Sequence, residues 1–218
     1  MYAQKNDFVE IKYTGRLEDG SIFDLNDKEQ AEKEKIKGHI HERTVICLGT
    51  TDLVSGLDTF LIGKEIGKKL HTTIPPEEGF GKKDPKLLQM LPLNKFQRQN
   101  INPIPGLQVT VDNNSGTVKS ISGGRILVDF NHPLAGKTLL YEITMVRKVD
   151  SLKEKVLGFL ELNVHMHNLK GMEKDGTVII ETELPKELHS MLETELKKRI
   201  PELQGLRGKS EEKEGHSN

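Results

Sequence analysis

The side chains with the most familiar chemistry in this chain are eight histidines and one cysteine. His39 and His41, and again His165 and His167, are two residues apart, so an extended backbone would put each pair on one face, where paired imidazoles can hold Ni²⁺ or Zn²⁺. Neither pair has cysteines or carboxylates at ligand spacing, and solvated imidazoles are the expectation, with no metal and no cofactor. Asn131-His132-Pro133 reads as an Asx-type turn rather than a catalytic centre. Cys47 stands alone, which precludes an intramolecular disulfide framework and fits a reducing compartment. What is left is an apolar cleft drawn from two separated stretches. The first runs through Val9–Asp24, Leu53–Gly63 and Ile74–Gly81, and the second is Leu139–Val146. Taken singly, the apolar members of these stretches are ordinary core, and Asp24 is an ordinary turn or cap residue.

Composition limits what such a cleft can serve. A chain of 218 residues with 34% hydrophobic residues can bury a real core and has room for two or three small domains. Its 32 basic and 33 acidic residues balance, so no chain-wide field points to nucleic acid or an anionic membrane. No N-terminal apolar stretch reads as a signal peptide, and no run approaches the ~20 apolar residues of a membrane span. The expectation is a soluble, cytoplasmic protein.

The elements that must position the cleft are legible from periodicity. Val9, Ile11, Tyr13 and Leu17 alternate with polar residues in a half-buried strand, and Asp19-Gly20 turns the chain back along Ile22 to Leu25. The polar run from Asn26 to Arg43 reads as a solvated excursion. From Thr51 to Gly63 the helical spacing of Leu53, Val54, Leu57, Phe60 and Leu61 predicts a short helix capped by Thr51 or Asp52. Lys68–Ile74 alternates as a strand. A capped helix start at Asp84-Pro85 precedes Leu87, Leu88, Met90 and Leu91, and three short strands follow at Leu107–Val111, Gly116–Ile121 and Arg125–Phe130. Leu139–Val146 alternates again and rejoins the first sheet. Beyond it come a helix at Leu152–Leu162, a hairpin turned at Lys174-Asp175-Gly176, and a helix opened by Pro185.

In order and spacing these stretches resemble the FKBP-type peptidyl-prolyl cis/trans isomerases. VEIKYTGRLEDGSIFD, LVSGLDTFLIG, IPPEEGFG and LLYEITMV carry the likeness, which covers essentially all of Asp7–Gly81 and Leu139–Val146. The resemblance implies that Tyr13 is the tyrosine of the first strand, and that Phe23 and Asp24 are the aromatic-aspartate pair after the hairpin. Leu53 and Val54 would lie under the proline ring, Leu57 would form a floor that is tryptophan in many relatives, and Ile46 would flank it. Phe80 takes a position that is usually tyrosine, and Tyr141 one that is usually phenylalanine. Prolyl isomerisation needs no nucleophile, metal or base, because no bond is broken. The barrier is the ~18–20 kcal/mol of amide rotation, and a dry cleft that favours the twisted amide lowers it.

The stretch between the two halves resembles the insert-in-flap chaperone domain of the SlyD-like branch, above all in GGRILVDFNHPLAGK (Gly123–Lys137). Its apolar residues Leu87, Leu88, Met90, Leu91, Leu93, Phe96, Ile101 and Ile104, with Leu107, are many for so small a unit, and about half are expected to form its core while the rest bind clients. The histidine- and cysteine-rich metal-binding tail of SlyD has no counterpart here, where the tail offers only His216. The last module resembles the C-terminal domain of long-type archaeal FKBPs. Its stripe Leu188, Met191, Leu192, Leu196 and Ile200 suits either a homodimer or packing on its own hairpin.

The expected fold is α+β: an antiparallel FKBP half-barrel sheet with one short helix, an inserted β-rich domain, and a C-terminal αββα module. The expected boundaries are residues 1–86 with 134–149, residues 87–133, residues 150–203, and a disordered tail at 204–218. The function implied is isomerisation of X-Pro bonds combined with chaperoning of unfolded or partly folded proteins. The alternative is a non-catalytic chaperone or binding module with a vestigial pocket.

Overall fold

The computed structural model describes residues 1–36, 44–184 and 186–209. The His39/His41 pair, Pro185 and the tail from residue 210, with His216, lie outside the described residues. The chain opens with β1 (Phe8–Leu17) and β2 (Ile22–Leu25), joined by a turn in which the Asp19 carboxylate accepts from the Ser21 N–H and hydroxyl. Next come α1 (Lys28–Lys33), β3 (Thr44–Cys47), α2 (Ser55–Leu61) and β4 (Lys69–Ile74). The intervening region holds β5 (Leu88–Pro92), α3 (Leu93–Gln97), β6 (Gln108–Val111), β7 (Asn114–Ser122) and β8 (Arg125–Asp129). The chain ends with β9 (Leu139–Lys148), α4 (Leu152–Val164), β10 (Gly171–Lys174), β11 (Thr177–Ile180), α5 (Lys186–Arg199) and β12 (Gly205–Gly208).

Two compact units result, Met1–Ile74 with Leu139–Asn218, and Pro75–Thr138. In the first, an antiparallel sheet runs β2-β1-β9-β4, and β3 also pairs with β1. Alternation decides which residues go where. Val9 and Ile46 are register partners and join Ile11, Leu48, Leu57, Leu61, Leu139, Ile143 and Met145 in one core. Their neighbours Phe8 and Cys47, also partners, face the other way and meet Leu152, Val156, Phe159 and Leu160 of α4. The C-terminal elements thus share a core with the edge of the first sheet. Gly158 makes this possible, because a Cβ there would lie 2.6 Å from Cβ of Val45, so α4 comes as near β3 as a backbone can.

Four local expectations are corrected. The run after Asn26 includes a real helix, α1, capped by the Asp27 carboxylate, which accepts from Gln30 N–H at 3.1 Å, and anchored by buried Ala31. α2 starts at Ser55 with no side-chain cap, because Asp52 has other partners. The capped start at Asp84 yields a single 3-10 turn, Pro85–Leu87, before the chain pairs with β8 as β5. And the tail is not disordered from residue 204, since β12 runs parallel to β11 with Leu206 buried against Val178 and Ile180.

The α5 stripe also divides. Leu192, Leu196 and Ile200 are buried in the C-terminal core, while Leu188 and Met191 are 37% and 59% exposed.

The second unit is a four-stranded antiparallel sheet in the order β5-β8-β7-β6. Its core is small: Phe96, Val109, Val111, Val118, Ile126 and Val128 are buried. Asp129, at 5% exposure, is its one buried charge among the described residues. Burial works to raise its pKa, but hydrogen bonds from Lys83 Nζ at 2.9 Å and from Asn131 outweigh that and bring it down to about 2. Among the described residues, no helix is long and apolar enough to cross a membrane.

Candidate functional site

The aromatic cleft is built where β1, β2 and β9 lie side by side. Gly15 of β1 makes the first provision, since a Cβ at that position would sit 2.5 Å from Cζ of Phe23. The Phe23 ring therefore lies across bare backbone and meets Tyr141 of β9 edge-on, with centroids 5.6 Å apart and an interplanar angle of 88°. Tyr13 also meets Tyr141, with centroids 6.3 Å apart and planes tilted by 56°. Its hydroxyl donates to Oδ2 of Asp24 at 2.8 Å.

Burial, then the Asp24 carboxylate, pushes the Tyr13 phenol well above its ordinary range, and the same two causes act on Tyr141. Both phenols stay protonated at any physiological pH. They form a neutral, donor-bearing wall.

Beneath this wall lies aliphatic surface. Ile46 and Leu57 are fully buried, and Leu53 and Val54 pack half-buried against the same core, as do Tyr13 and Phe23. The structure therefore brings eight of the nine expected cleft residues into one cluster, with Leu53 and Val54 presented on the segment that leads into α2. Phe80 belongs to the second unit. There it is 36% exposed, and its ring stacks on the imidazole of His132, with centroids 4.3 Å apart and planes within 3° of parallel.

Three supports of this cluster had no clear sequence signal. Asn26 is buried, accepts the Tyr13 N–H at 2.6 Å through Oδ1, and donates through Nδ2 to the Ile11 carbonyl at 2.8 Å and to Oγ1 of Thr44 at 3.0 Å. It locks the strand that carries the phenol. Asp52 accepts the Cys47 N–H at 2.9 Å with Oδ2, and its Oδ1 accepts from Arg199 of α5 at 2.5 Å. With side-chain exposures of 3% and 11%, that ion pair ties the last helix to the residue beside Leu53. The third support is Gly15, whose neighbour across the hairpin could not be named from spacing.

Cys47 is buried beside the same carboxylate, and burial followed by Asp52 pushes its thiol up to about 12. It is an inert core residue. His165 and His167 lie beyond the end of α4, and among the described residues no group of three histidine, cysteine or acidic side chains is placed to hold a metal.

The client-binding set of the second unit splits by burial. Leu87, Leu88, Met90 and Ile104 are exposed, Met90 most of all at 60%. Leu91, Leu93 and Ile101 are half-buried against the core. Phe96 is 1% exposed and is the largest side chain of that core, so it is withdrawn from the client-binding set. The reason is its place on α3, where its ring covers the sheet face that Ile126 and Val128 present.

The chain is similar to known proteins over most of its length. A family model, the IF domain of FKBP26, matches residues 89–134. The chain is 30% identical over 142 residues to a short-type peptidyl-prolyl cis-trans isomerase of Methanocaldococcus jannaschii, covering 64% of this chain and 90% of the relative. It is 31% identical over 160 residues to the FKBP-type peptidyl-prolyl cis-trans isomerase SlyD of Haemophilus influenzae, covering 72% and 77%. A third relative, the FKBP-type 16 kDa peptidyl-prolyl cis-trans isomerase of Escherichia coli, is 29% identical over 148 residues, covering 66% and 92%. The chain belongs to the FKBP-type peptidyl-prolyl cis-trans isomerases. Within that family it is one that carries an insert-in-flap domain.

Proposed function

We propose that this isomerase turns X-Pro bonds over the cluster of Tyr13, Phe23, Asp24, Ile46, Leu53, Val54, Leu57 and Tyr141, and that the second unit holds unfolded clients. The observation that carries the first part is the combination of two neutral phenols, an edge-on aromatic pair and a fully buried aliphatic floor. A proline ring placed on that floor loses water. A twisted prolyl amide, with its nitrogen pyramidal and its carbonyl less conjugated, is less polar than the planar amide and is favoured in such surroundings. Lowering the barrier by ~5 kcal/mol speeds rotation by between three and four orders of magnitude. No proton needs to move for this to happen.

The chaperone part rests on the exposed Leu87, Leu88, Met90 and Ile104. Leu88 and Met90 lie on the same face of β5, two residues apart, and Leu127 is the cross-strand partner of Met90. β5 is also a sheet edge, so its outer backbone groups and a flexible methionine are available to extended chain of many sequences.

Short proline peptides and an aggregating client test the two parts separately. The full chain should accelerate cis/trans exchange of a tetrapeptide and slow aggregation of the client. Absence of any acceleration would overturn the site, and unchanged aggregation would overturn the holding role.

A further inference from the structure

The second unit is the cationic part of the chain. Pro75–Thr138 carries eight basic residues against five acidic, in a chain that balances 32 against 33. The register of its sheet shows where that surplus meets the exposed apolar surface. Leu88, Met90 and Pro92 occupy one face of β5, and their cross-strand partners on β8, Asp129, Leu127 and Arg125, project to the same side. Phe96 and the core lie on the other side, against Ile126 and Val128. The outer face therefore has an apolar row, Met90 with Leu127, between a carboxylate row and a guanidinium row. The carboxylate is already neutralised: Asp129 is 5% exposed, with Lys83 Nζ at 2.9 Å and Lys119 Nζ, from the bulge in β7, at 3.8 Å. Arg125 is exposed and makes no ion pair among the described residues. Ser120 and Ser122 of β7, next in the apolar and guanidinium rows, are neutral.

We infer that this face selects, among unfolded clients, extended segments that carry aspartate or glutamate two residues from a large apolar side chain, a preference that rests on the reading of the second unit as the client-holding surface. A strand added at the β5 edge sends its residues i and i+2 to the same side, spaced as the rows of the sheet are. An apolar side chain on the Met90–Leu127 row then brings a carboxylate one row along, to Arg125. The guanidinium offers that carboxylate two parallel N–H donors, a geometry that fixes register as well as sign. A client lysine in the same place meets like charge from Arg125 and, across the face, from Lys119. Apolar contact alone would hold both clients equally, so the discrimination comes from charge.

Fluorescence anisotropy on the full chain tests this with labelled peptides that share a leucine and differ only two residues along, where they carry glutamate, glutamine or lysine. The glutamate peptide should bind more tightly than the lysine peptide by between about twofold and tenfold at low salt, the range expected for exposed charge pairs, and the gap should close as ionic strength rises. Arg125→Glu should bring the ratio to one or below. Arg98→Glu changes the charge of the unit by the same amount, but at the end of α3, which covers the opposite side of the sheet, and should leave most of the ratio in place. Because the ratio is taken within each variant, a general loss of binding cancels. A ratio of one in the full chain overturns the preference, as does a ratio that survives Arg125→Glu or falls equally with Arg98→Glu. Displacement of the glutamate peptide by oligothymidylate at a lower concentration than by the unlabelled peptide would assign the face to nucleic acid and overturn it too. Failure of every peptide to bind overturns the holding role itself, and the preference with it.

Discussion

The two units bury their apolar residues to different ends. In the first, two cores meet across one sheet, each site residue is held by a neighbour, and the cleft is fixed by close contacts such as Gly15 beneath Phe23. In the second, six buried residues with a few half-buried neighbours form a small core, and large apolar side chains remain on its surface. On the roles proposed above, a site that must favour one twisted amide needs fixed walls, whereas a surface that meets many unfolded chains gains from adaptable ones. The contrast predicts that the first unit is easily damaged by single substitutions near the cleft, and that the second can lose its function without losing its fold.

The largest effect is expected from Arg199→Ala. Removing the guanidinium leaves the Asp52 carboxylate buried without its cation and also strips the face of Phe159, over which Arg199 lies at 4.9 Å. Breaking such a pair costs about 3–5 kcal/mol. Denaturant unfolding of the full chain checks it, and a loss under ~1 kcal/mol would show that the last helix does not brace the segment before Leu53.

Next comes Gly15→Ala, whose Cβ must displace the Phe23 ring. Overpacking of this kind costs about 1–3 kcal/mol, and peptide turnover should fall by at least about tenfold as Phe23 leaves Tyr141. A crystal structure of the variant with Phe23 unmoved would contradict the account. Tyr13→Phe is milder: it removes the hydrogen bond to Asp24, worth ~0.5–1.5 kcal/mol, and should slow turnover by no more than about tenfold.

In the second unit the paired change Leu88→Lys and Met90→Lys should alter stability by only about 0.5 kcal/mol per site, because both side chains are exposed, while suppression of client aggregation is lost. Intact tetrapeptide turnover in the same variant would complete the contrast. The smallest effect concerns acid. A carboxyl held below its ordinary range stabilises the fold above that range and loses its contribution as pH falls, so the second unit should weaken between about pH 4 and pH 2 as Asp129 takes up its proton. Asp129→Asn should flatten that part of the pH profile, as followed by amide signals of the second unit.

How far the sequence could be read depended on whether a feature is local. Alternation in β1 and β9 and the Asp19-Gly20 turn are written in neighbouring residues, and so are the three strands β6, β7 and β8. The cleft aromatics were legible through the order of several short stretches. The helix expected after Asp84 failed because Leu88–Leu91 has helix-compatible composition, and only its pairing with β8, far along the chain, makes it a strand. β12 was missed because a lone Leu206 carries no periodicity and parallel pairing with β11 is a tertiary matter. The Arg199–Asp52 tie was invisible for the same reason: its partners are 147 residues apart.

The register of β4 with β9 places Ile74 directly opposite Leu139, so the two ends of the intervening unit leave the sheet from adjacent strand positions. An unfolded chain of that length would have to be brought end to end before those strands could pair, and the entropy of closing it would oppose them. A unit that has already folded with its ends together removes most of that cost. The second unit is therefore positioned to act on its own host during synthesis: it emerges before β9, and its folding shortens the search by which β9 finds β1 and β4. Circular permutants that separate those ends should refold more slowly than the native chain, even where the final stability is the same.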